Sequence, residues 1–458
     1  MDNKTKNIIK KLALKIKSNS GRAVFVGGIV RDKLLGHPSK DIDIEVFGLR
    51  SYDQLKNIAR EFGSVNEVGK AFSVLKLNLN DSYEVDLSFP RLESKVGPGH
   101  KGFEVNANQF LTFEQAAKRR DFTINAISED ILTEQIIDPF NGVEDLKNKQ
   151  LVHVGIQFSE DPLRVFRAAQ FLARFNLQVN SETKELCRTM PIDELPKERV
   201  FEEIKKLLLK SEKPSLGFEF LKDIGALSYL SPIAALINTP QDPLWHPEGD
   251  VWVHTMMVVD EMAKLCEKDN QKNIVFMLAA LCHDLGKPYT TKMIEGRWRS
   301  HGHEEAGIEP AMMFLSRLTH DKAIINQVIA LIAQHMKPGM LYESHKKTKV
   351  SDAAIRRLST KVPIKDLVKL STADYFGRKL SENVSNKFLA GEWLSQRAEK
   401  LNVSIDPPQK LVQGKDLLSL GFKSGKALGD ILKVIYEKQL EGVFNTKEEA
   451  LHWVENNF

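Results

Sequence analysis

Cysteine is scarce in this chain. The three present, Cys187, Cys266 and Cys282, lie far apart among 458 residues and lack the paired spacing of a metal knuckle. A disulfide-stapled secreted fold and a cysteine-ligated zinc module are thereby excluded, leaving buried thiols in a reducing compartment. Long apolar runs are missing too: no stretch approaches the ~20 residues that cross a bilayer. The opening MDNKTKNIIKKLALKIKS places lysines among apolar residues at helical spacing. It has no continuous apolar stretch and no small-residue cleavage site, so the expected location is cytoplasmic, with no membrane partner. Nor does one sign of charge dominate. A net charge of +4 does not by itself indicate a polyanionic partner, although lysine and arginine gather around residues 1–20, 118–120 and 197–210. The length allows several cores, and the apolar and charged fractions are those of a globular protein.

Periodicity divides what is there. Residues 1–20 read as an amphipathic helix, and AVFVGG, DIDIEVFG, VLKLNLN and YEVDLSF then alternate as strands do. LESKVGPGHKGFEVNANQ, residues 92–109, has glycines, a proline and few large apolar residues, which predicts a mobile loop. From about residue 114 onward the pattern is helical. Three prolines in TPQDPLWHP interrupt it near residues 240–247, and the DPP at 406–408 precedes a short helical tail. The expected domains are 1–145, a mixed α/β head; 146–240, a helical neck; 241–390, a second helical block; and 391–458, a tail.

The head carries the first chemistry. GGIVRD at residues 27–32 is a glycine turn entering a helix, and DIDIEVFG follows from Asp41. Strand alternation puts Asp41 and Asp43 on one face with Ile42 on the other. Two carboxylates so placed can hold a divalent metal, and a Gly-Gly turn lets backbone N–H groups approach a phosphate. Asp86 in YEVDLSF, with Glu84 on the same face, is a candidate third acidic group. On its own an acidic strand face is most often merely solvated.

The next hundred residues change that. KRRDFTINAI (118–127), DPFNGVEDL (138–146), EDPLRVFRAAQFLARF (160–175) and ERVFEEIKKLL (198–208) follow in order. Together with the first pair of segments they resemble the five motifs of the class II tRNA nucleotidyltransferases, the CCA-adding enzymes and their poly(A) polymerase relatives. The resemblance implies an α+β fold: a polymerase-β-like nucleotidyltransferase head with a mixed sheet, then a mostly helical body. It implies Asp41 and Asp43 as catalytic Mg²⁺ ligands, Gly28 and Arg31 at the triphosphate, and Arg120 and Arg167 on the nucleotide. It also implies Asp161 and Arg164, next to Glu160, as the pair that reads the Watson–Crick edge of the incoming base in place of a template. A carboxylate accepts from the exocyclic amine that C and A share, whereas U and G present a carbonyl there. Asp121 and Asn125 are expected to orient the turn and the sugar. Where many relatives have a further arginine this chain has Gln170, which cannot neutralise phosphate. Glu198, Arg199 and Glu203 match the last motif, and pairing of Arg199 with Glu203 one turn apart is expected to brace it.

A second constellation follows: WHPEGDVWVH, LCHDLGK, SHGHEE, AQHMKP and TADYFGR. It resembles the HD phosphohydrolase domain, and its pairing with such a head resembles the multifunctional bacterial CCA-adding enzymes. The resemblance implies His254, His283, Asp284 and Asp374 as ligands of a transition metal (Mn, Ni, Fe or Zn), with His303 and His335 available to a second metal or to phosphate. The expected activity is addition or repair of the tRNA 3′-CCA end from CTP and ATP, with phosphoester hydrolysis at the second site. A CC-adding or A-adding enzyme, a poly(A) polymerase, or an RNA-binding regulator with an inactive head are the alternatives. Lys205, Lys206 and Lys210 are candidates for RNA contact, each more simply read as part of a solvated helix face.

Overall fold

The computed structural model describes residues 1–39, 41–68, 74–80, 83–95, 103–267, 271–379 and 387–458, in two compact units. The first comprises residues 1–207 with 219–229, the second 208–218 with 230–458.

In the first unit, helix α1 (Asn3–Ser18) is capped by Asp2, whose carboxylate accepts the Thr5 N–H at 2.7 Å. Its apolar residues recur at Ile9, Leu12, Ala13 and Ile16, and that stripe is buried. It covers a seven-stranded mixed sheet built from β1 (Arg22–Val26), β2 (Ile42–Phe47), β3 (Ser64–Val68), β4 (Val74–Asn80) and β5 (Tyr83–Ser88), with β8 (Ser128–Asp130) and β9 (Ile136–Ile137) added later in the chain. The strand order is β3-β4-β5-β2-β1-β8-β9, and only β2 and β5 run parallel. Ile42, Ile44 and Val46 of β2 join Leu75, Leu77, Val85 and Leu87 in the core beneath α1 and α3 (Tyr52–Arg60). The intervening Asp43 and Glu45 therefore point to the opposite face.

Between β1 and β2 lies α2 (Gly28–Leu34). The segment expected as a mobile loop differs in part: β6 (Arg91–Lys95) and β7 (Phe103–Ala107) pair as an antiparallel ribbon, with residues 96–102 outside the described residues. The Leu92, Phe103 and Val105 alternation permits pairing that the glycines obscured. The short strands β3, β8 and β9 were likewise not expected, being too brief for a period-2 pattern to stand out. The helices α4 (Phe113–Ala117), α5 (Gly142–Lys147), α6 (Arg164–Phe175), α7 (Ser181–Thr189) and α8 (Lys197–Lys210) follow. Arg119 and Arg120 come just after α4, rather than at a helix start.

The second unit is helical. After α9 (Ser215–Asp223), which straddles the division, come α10 (Ser231–Ala234), α11 (Val251–Leu265), α12 (Asn273–Cys282), α13 (Lys287–Thr290), α14 (His303–Ala306), α15 (Ile308–Leu318), α16 (Lys322–Ile332), α17 (Lys337–Lys347), α18 (Asp352–Ser359) and α19 (Ile364–Phe376). The sequence of α12, NIVFMLAALC, is apolar all round and fully buried, as a central helix must be. It packs against α11, α16 and α19 and delivers the following His283 and Asp284 into the interior. The tail helices build a small core of their own around Leu417, Ile435, Phe444 and Val454. Cys187 and Cys282 are buried and all three thiols unpaired, with burial pushing those of Cys187 and Cys266 up to about 12 and about 11. No described helix is long and apolar enough to cross a membrane.

Candidate functional site

On the face of the head sheet opposite α1, Asp43 of β2 stands beside Asp86 of the parallel β5 in direct register, and the exposed Asp41 immediately precedes the strand. Burial pushes the Asp43 carboxyl up; Arg120 opposes this, and Asp86, Asp41 and Glu45 add to it. Oδ1 of Asp86 is closed off from solvent and accepts no hydrogen bond; the nearest cation, Lys76, is 3.6 Å from it. Glu84 does not join the cluster, because it is taken by Lys76. Mutually repelling carboxylates with an unsatisfied oxygen form an all-oxygen donor set, which fits a hard divalent cation.

The glycine turn lies on the same face. Gly27 enters α2 at φ +70°, a conformation that favours glycine, and a Cβ there would come 3.0 Å from Nη1 of Arg120. Arg120 in turn donates to Oε1 of Glu45 at 3.1 Å, and Arg119 reaches the same oxygen at 2.6 Å. Glu45 is 3% exposed and was not singled out from sequence. It continues the alternation of Asp41 and Asp43, and a buried acid beside two arginines in the neighbouring motif was the available signal.

Arg31, expected at the triphosphate, is held by side chains of its own unit. Its guanidinium is buried, donating to Asp32 at 2.6 Å and to Asn125 at 2.5 Å, with the ring of Phe175 4.5 Å away. The ion pair with Asp32 is an internal brace rather than a surface pair. Asp121 is a second internal brace. It accepts from the Phe122 N–H at 2.8 Å, from Asn125 at 2.9 Å and from Nε of Arg167 at 2.7 Å. Burial pushes its carboxyl up, but Arg167 and Asn125 outweigh burial and hold it below the usual carboxylate range.

Arg164 and Arg167 lie one turn apart at the start of α6. Arg164 donates to the carbonyls of Gln157 (2.8 Å) and Arg119 (2.6 Å), which ties the helix start to the arginine motif. Asp161 accepts from Arg199 at 2.8 Å and from the Leu163 N–H at 3.2 Å. The expected Arg199–Glu203 brace is therefore not formed. Glu203 instead accepts from Lys206 at 2.8 Å and lies 3.6 Å from Arg167. Helical spacing put Arg199 and Glu203 on one face, but the loop carrying Asp161 comes against Arg199 first. Gln170 is 2% exposed, with its amide nitrogen unpaired, so it faces the interior and not a phosphate. Lys205 and Lys206 engage Glu202 and Glu203 on their own helix, and Lys210 is exposed at its end.

In the second unit six side chains converge from five segments. His254 comes from α11, His283 and Asp284 from the end of α12, His303 from α14, His335 from just after α16, and Asp374 from α19; all are buried. His254 Nε2 is 3.2 Å from Asp374 Oδ1 and 3.8 Å from Asp284 Oδ2, and His283 Nε2 is 3.1 Å from the latter oxygen. His303 Nε2 is 3.3 Å from Asp284 Oδ1 and 3.1 Å from Nε2 of His335. The Nδ1 atoms of His283, His303 and His335 lie 2.8, 2.8 and 2.6 Å from main-chain carbonyls, which only accept. Each Nδ1 therefore carries a hydrogen, and each Nε2 is the atom turned inward, with a lone pair to offer whenever the ring is neutral. Burial, with His303 and His283 nearby, lowers His335 to about 3. Both Asp284 oxygens accept no well-formed hydrogen bond. Convergent lone pairs around a buried carboxylate fit a divalent metal. Two groups, His254–His283–Asp374 and Asp284–His303–His335, meet ligand spacing, as does a third built on His246 and Glu248 with His254.

Gly286 makes this convergence feasible. A Cβ there would sit 1.9 Å from the His303 carbonyl oxygen, so the α12–α13 turn and the His303 segment touch backbone to backbone. Lys287 contacts Asp284 at 2.7 Å and Gln241 at 2.6 Å, and Arg378 contacts Asp374 at 3.2 Å. A cavity of about 350 Å³ opens beside the centre, with Trp245, Trp298, Arg299 and His301 on its walls. Cations and indole rings around a buried acidic centre suit an anionic ester with an aromatic part.

Comparison with known proteins matches family models to the segments that carry the two sites. A poly A polymerase head domain matches residues 23–152, a probable RNA and SrmB-binding site of polymerase A residues 176–237, and an HD domain residues 251–378. The chain is 38% identical over 331 residues to the multifunctional CCA protein of Nitrosococcus oceani, covering 69% of this chain and 77% of that one. It is 41% identical over 301 residues to the multifunctional CCA protein of Dechloromonas aromatica, covering 64% and 68%. In fold it is similar to the Bacillus stearothermophilus CCA-adding enzyme solved with CTP, with a TM-score of 0.68 and 20% identity over all of this chain and 98% of the other. The Thermotoga maritima CCA-adding enzyme solved with tRNA is similar at a TM-score of 0.60 and 20% identity, over all of this chain and 96% of the other. With its two sites in place and these relatives matched along most of their length, the chain belongs to the multifunctional CCA protein family.

Proposed function

We propose that this protein is a template-independent tRNA nucleotidyltransferase that builds or repairs the 3′-CCA end from CTP and ATP, and that its HD domain hydrolyses phosphoesters. The observation that carries the first activity is the acidic face formed by Asp41, Asp43 and Asp86 beside the Gly27 turn and Arg120. Asp41 and Asp43 are the residues to hold Mg²⁺, with Asp86 as a third donor. Bound there, the ion supplies activation of the attacking 3′-hydroxyl and stabilisation of the leaving pyrophosphate. Gly28 and Arg120 serve the triphosphate. The Arg120 fork is held in place by Glu45 and never deprotonates. Arg31 acts from behind by fixing α2 through Asp32 and Asn125.

Base choice rests on Asp161 and Arg164. The Asp161 carboxylate is aimed by Arg199 yet has acceptor sites left for the amine of C or A, while U or G would leave an acceptor facing an acceptor, at a cost of about 1–3 kcal/mol. Arg167 is set by Asp121 one turn further along. The neck, 146–240, and tail, 391–458, are the parts we assign to tRNA, gripped through phosphate and shape, so raised salt weakens binding. In the HD domain, 241–390, His254, His283, Asp284 and Asp374, with His303 and His335, are the residues to hold a transition metal, which would supply an activated water; Lys287 and Arg378 offer positive charge to the phosphate.

The test is incorporation by purified protein with Mg²⁺ on tRNA transcripts ending before CCA, after C or after CC, each offered one labelled nucleotide. Two C additions followed by one A, with U and G refused, is the expected result. A on the CC-ended transcript alone, or C alone on the bare end, would replace it with an A-adding or CC-adding enzyme. No incorporation would leave the HD domain as the working part.

A further inference from the structure

Glu248 sits in the loop ahead of α11, outside the six convergent side chains of the HD centre. Its side chain is 1% exposed, as enclosed as the HD residues themselves. Oε1 lies 2.8 Å from Nδ1 of His246 and 2.9 Å from Nδ1 of His254, the second contact close but bent from a linear hydrogen bond. Oε2 accepts the Lys379 N–H at 3.2 Å. An ionised carboxylate only accepts, so both Nδ1 atoms turn their hydrogens toward it. For His254 this leaves the Nε2 lone pair on the side of Asp374 and Asp284. His283, His303 and His335 obtain the same tautomer from neutral carbonyls. Of the four, His254 has the nearest carboxylate to its Nδ1, at 2.9 Å against 3.7 Å for Glu304 at His303, and a negative charge so placed both fixes the ring and raises the basicity of its inward nitrogen.

We propose that Glu248 is the positioning residue of the HD centre: it holds His254 in its ligating tautomer and, through the shared oxygen, braces it against His246, whose ring packs edge-on at 4.7 Å. The inference rests on the reading that the centre binds a divalent metal. It also decides between the overlapping groups that the side chains offer. With Nδ1 of His254 given to Glu248, the His246–Glu248–His254 group is a hydrogen-bonded support and His254 ligates through Nε2.

The test is binding of Co²⁺ alone to metal-free, full-length protein, read by its visible ligand-field absorption and by metal content after gel filtration. E248Q is expected to bind about 10- to 100-fold more weakly and with a shifted absorption band, while the metal-free variant unfolds at the wild-type temperature. In an H254Q background the same change is expected to add no further loss. Wild-type affinity and spectrum in E248Q would overturn the proposal, and so would an undiminished loss in the H254Q background. If E248Q does not fold, E248D carries the same cycle: the charge is kept but the reach shortened, and a loss of about tenfold is expected. Failure of the wild-type protein to take up Co²⁺ would instead remove the metal reading, and this proposal with it.

Discussion

The two acidic centres are built on opposite plans. In the head, Asp41 is exposed just ahead of β2, Asp43 is half-buried within it, and Asp86 stands beside Asp43 on the paired strand. In the HD domain six ligand candidates arrive from five separate segments and all are buried. The first set is all oxygen and open on one side, which suits an ion that enters with a nucleotide's phosphates and leaves with pyrophosphate. The second is rich in imidazole and its donors are buried at the foot of a cavity, which suits an ion held more firmly. One strand can place a pair of carboxylates by alternation alone, whereas a buried nitrogen–oxygen cage has to be assembled by tertiary packing.

The contrast can be broken most sharply at its two centres. D43A is expected to lower nucleotide incorporation on the order of a thousandfold, about 4 kcal/mol of transition-state stabilisation, while leaving HD phosphoester hydrolysis intact. Separate assays of the two activities on the same preparation check it. H283A is expected to do the reverse: the wild type is expected to carry a transition metal through gel filtration and the variant to lose it, and phosphoester hydrolysis with it, while CCA addition continues. Metal analysis beside the incorporation assay distinguishes this outcome from general unfolding.

How much of this was legible follows the same division. The alternation of Ile42, Asp43, Ile44 and Glu45 fixes which side chains share a face, so Asp41 and Asp43 could be read from the chain, and Asp86 from the strand that pairs with it. The HD doublet was visible because it ends an apolar helix. Partnerships made across segments were not. Helical periodicity puts Arg199 and Glu203 on one face but is silent about the loop that brings Asp161 to Arg199. Glu45 and Glu248 went unremarked because a buried acid acquires its meaning from what packs against it. That Asp32, Asn125 and Phe175 gather around Arg31 was likewise not legible.

Two smaller effects sharpen the comparison within the head. D161A is expected to cost roughly tenfold to a hundredfold in preference for C and A over U and G, because the acceptor that rejects a carbonyl is gone; R199A, which only aims Asp161, is expected to cost less than tenfold. Ratios of kcat/KM for the four nucleotides measure both. The smallest effect is on stability. Since the folded Asp121 carboxyl lies below its usual value of 3.8, the stabilisation is present above that pH and is lost as pH falls through the lowered value. D121N is expected to lose about 2 kcal/mol at pH 7, a figure discounted because the Arg167 side chain keeps 30% of its exposure. The gap between D121N and wild type should close on acidification below about pH 4, checked by denaturant unfolding across that range.

Gly286 carries a consequence for how the two halves of the protein can drift apart over generations. Any replacement adds at least one carbon where the His303 carbonyl already stands. No single step away from glycine keeps His303 in reach of Asp284, so the position has no neutral neighbours while hydrolysis is under selection. Once a lineage stops needing that activity the restriction lifts, and the nucleotidyltransferase can persist without it. Residue 286 is thus a place, besides the histidines themselves, where the loss of one of two activities would become readable in a genome.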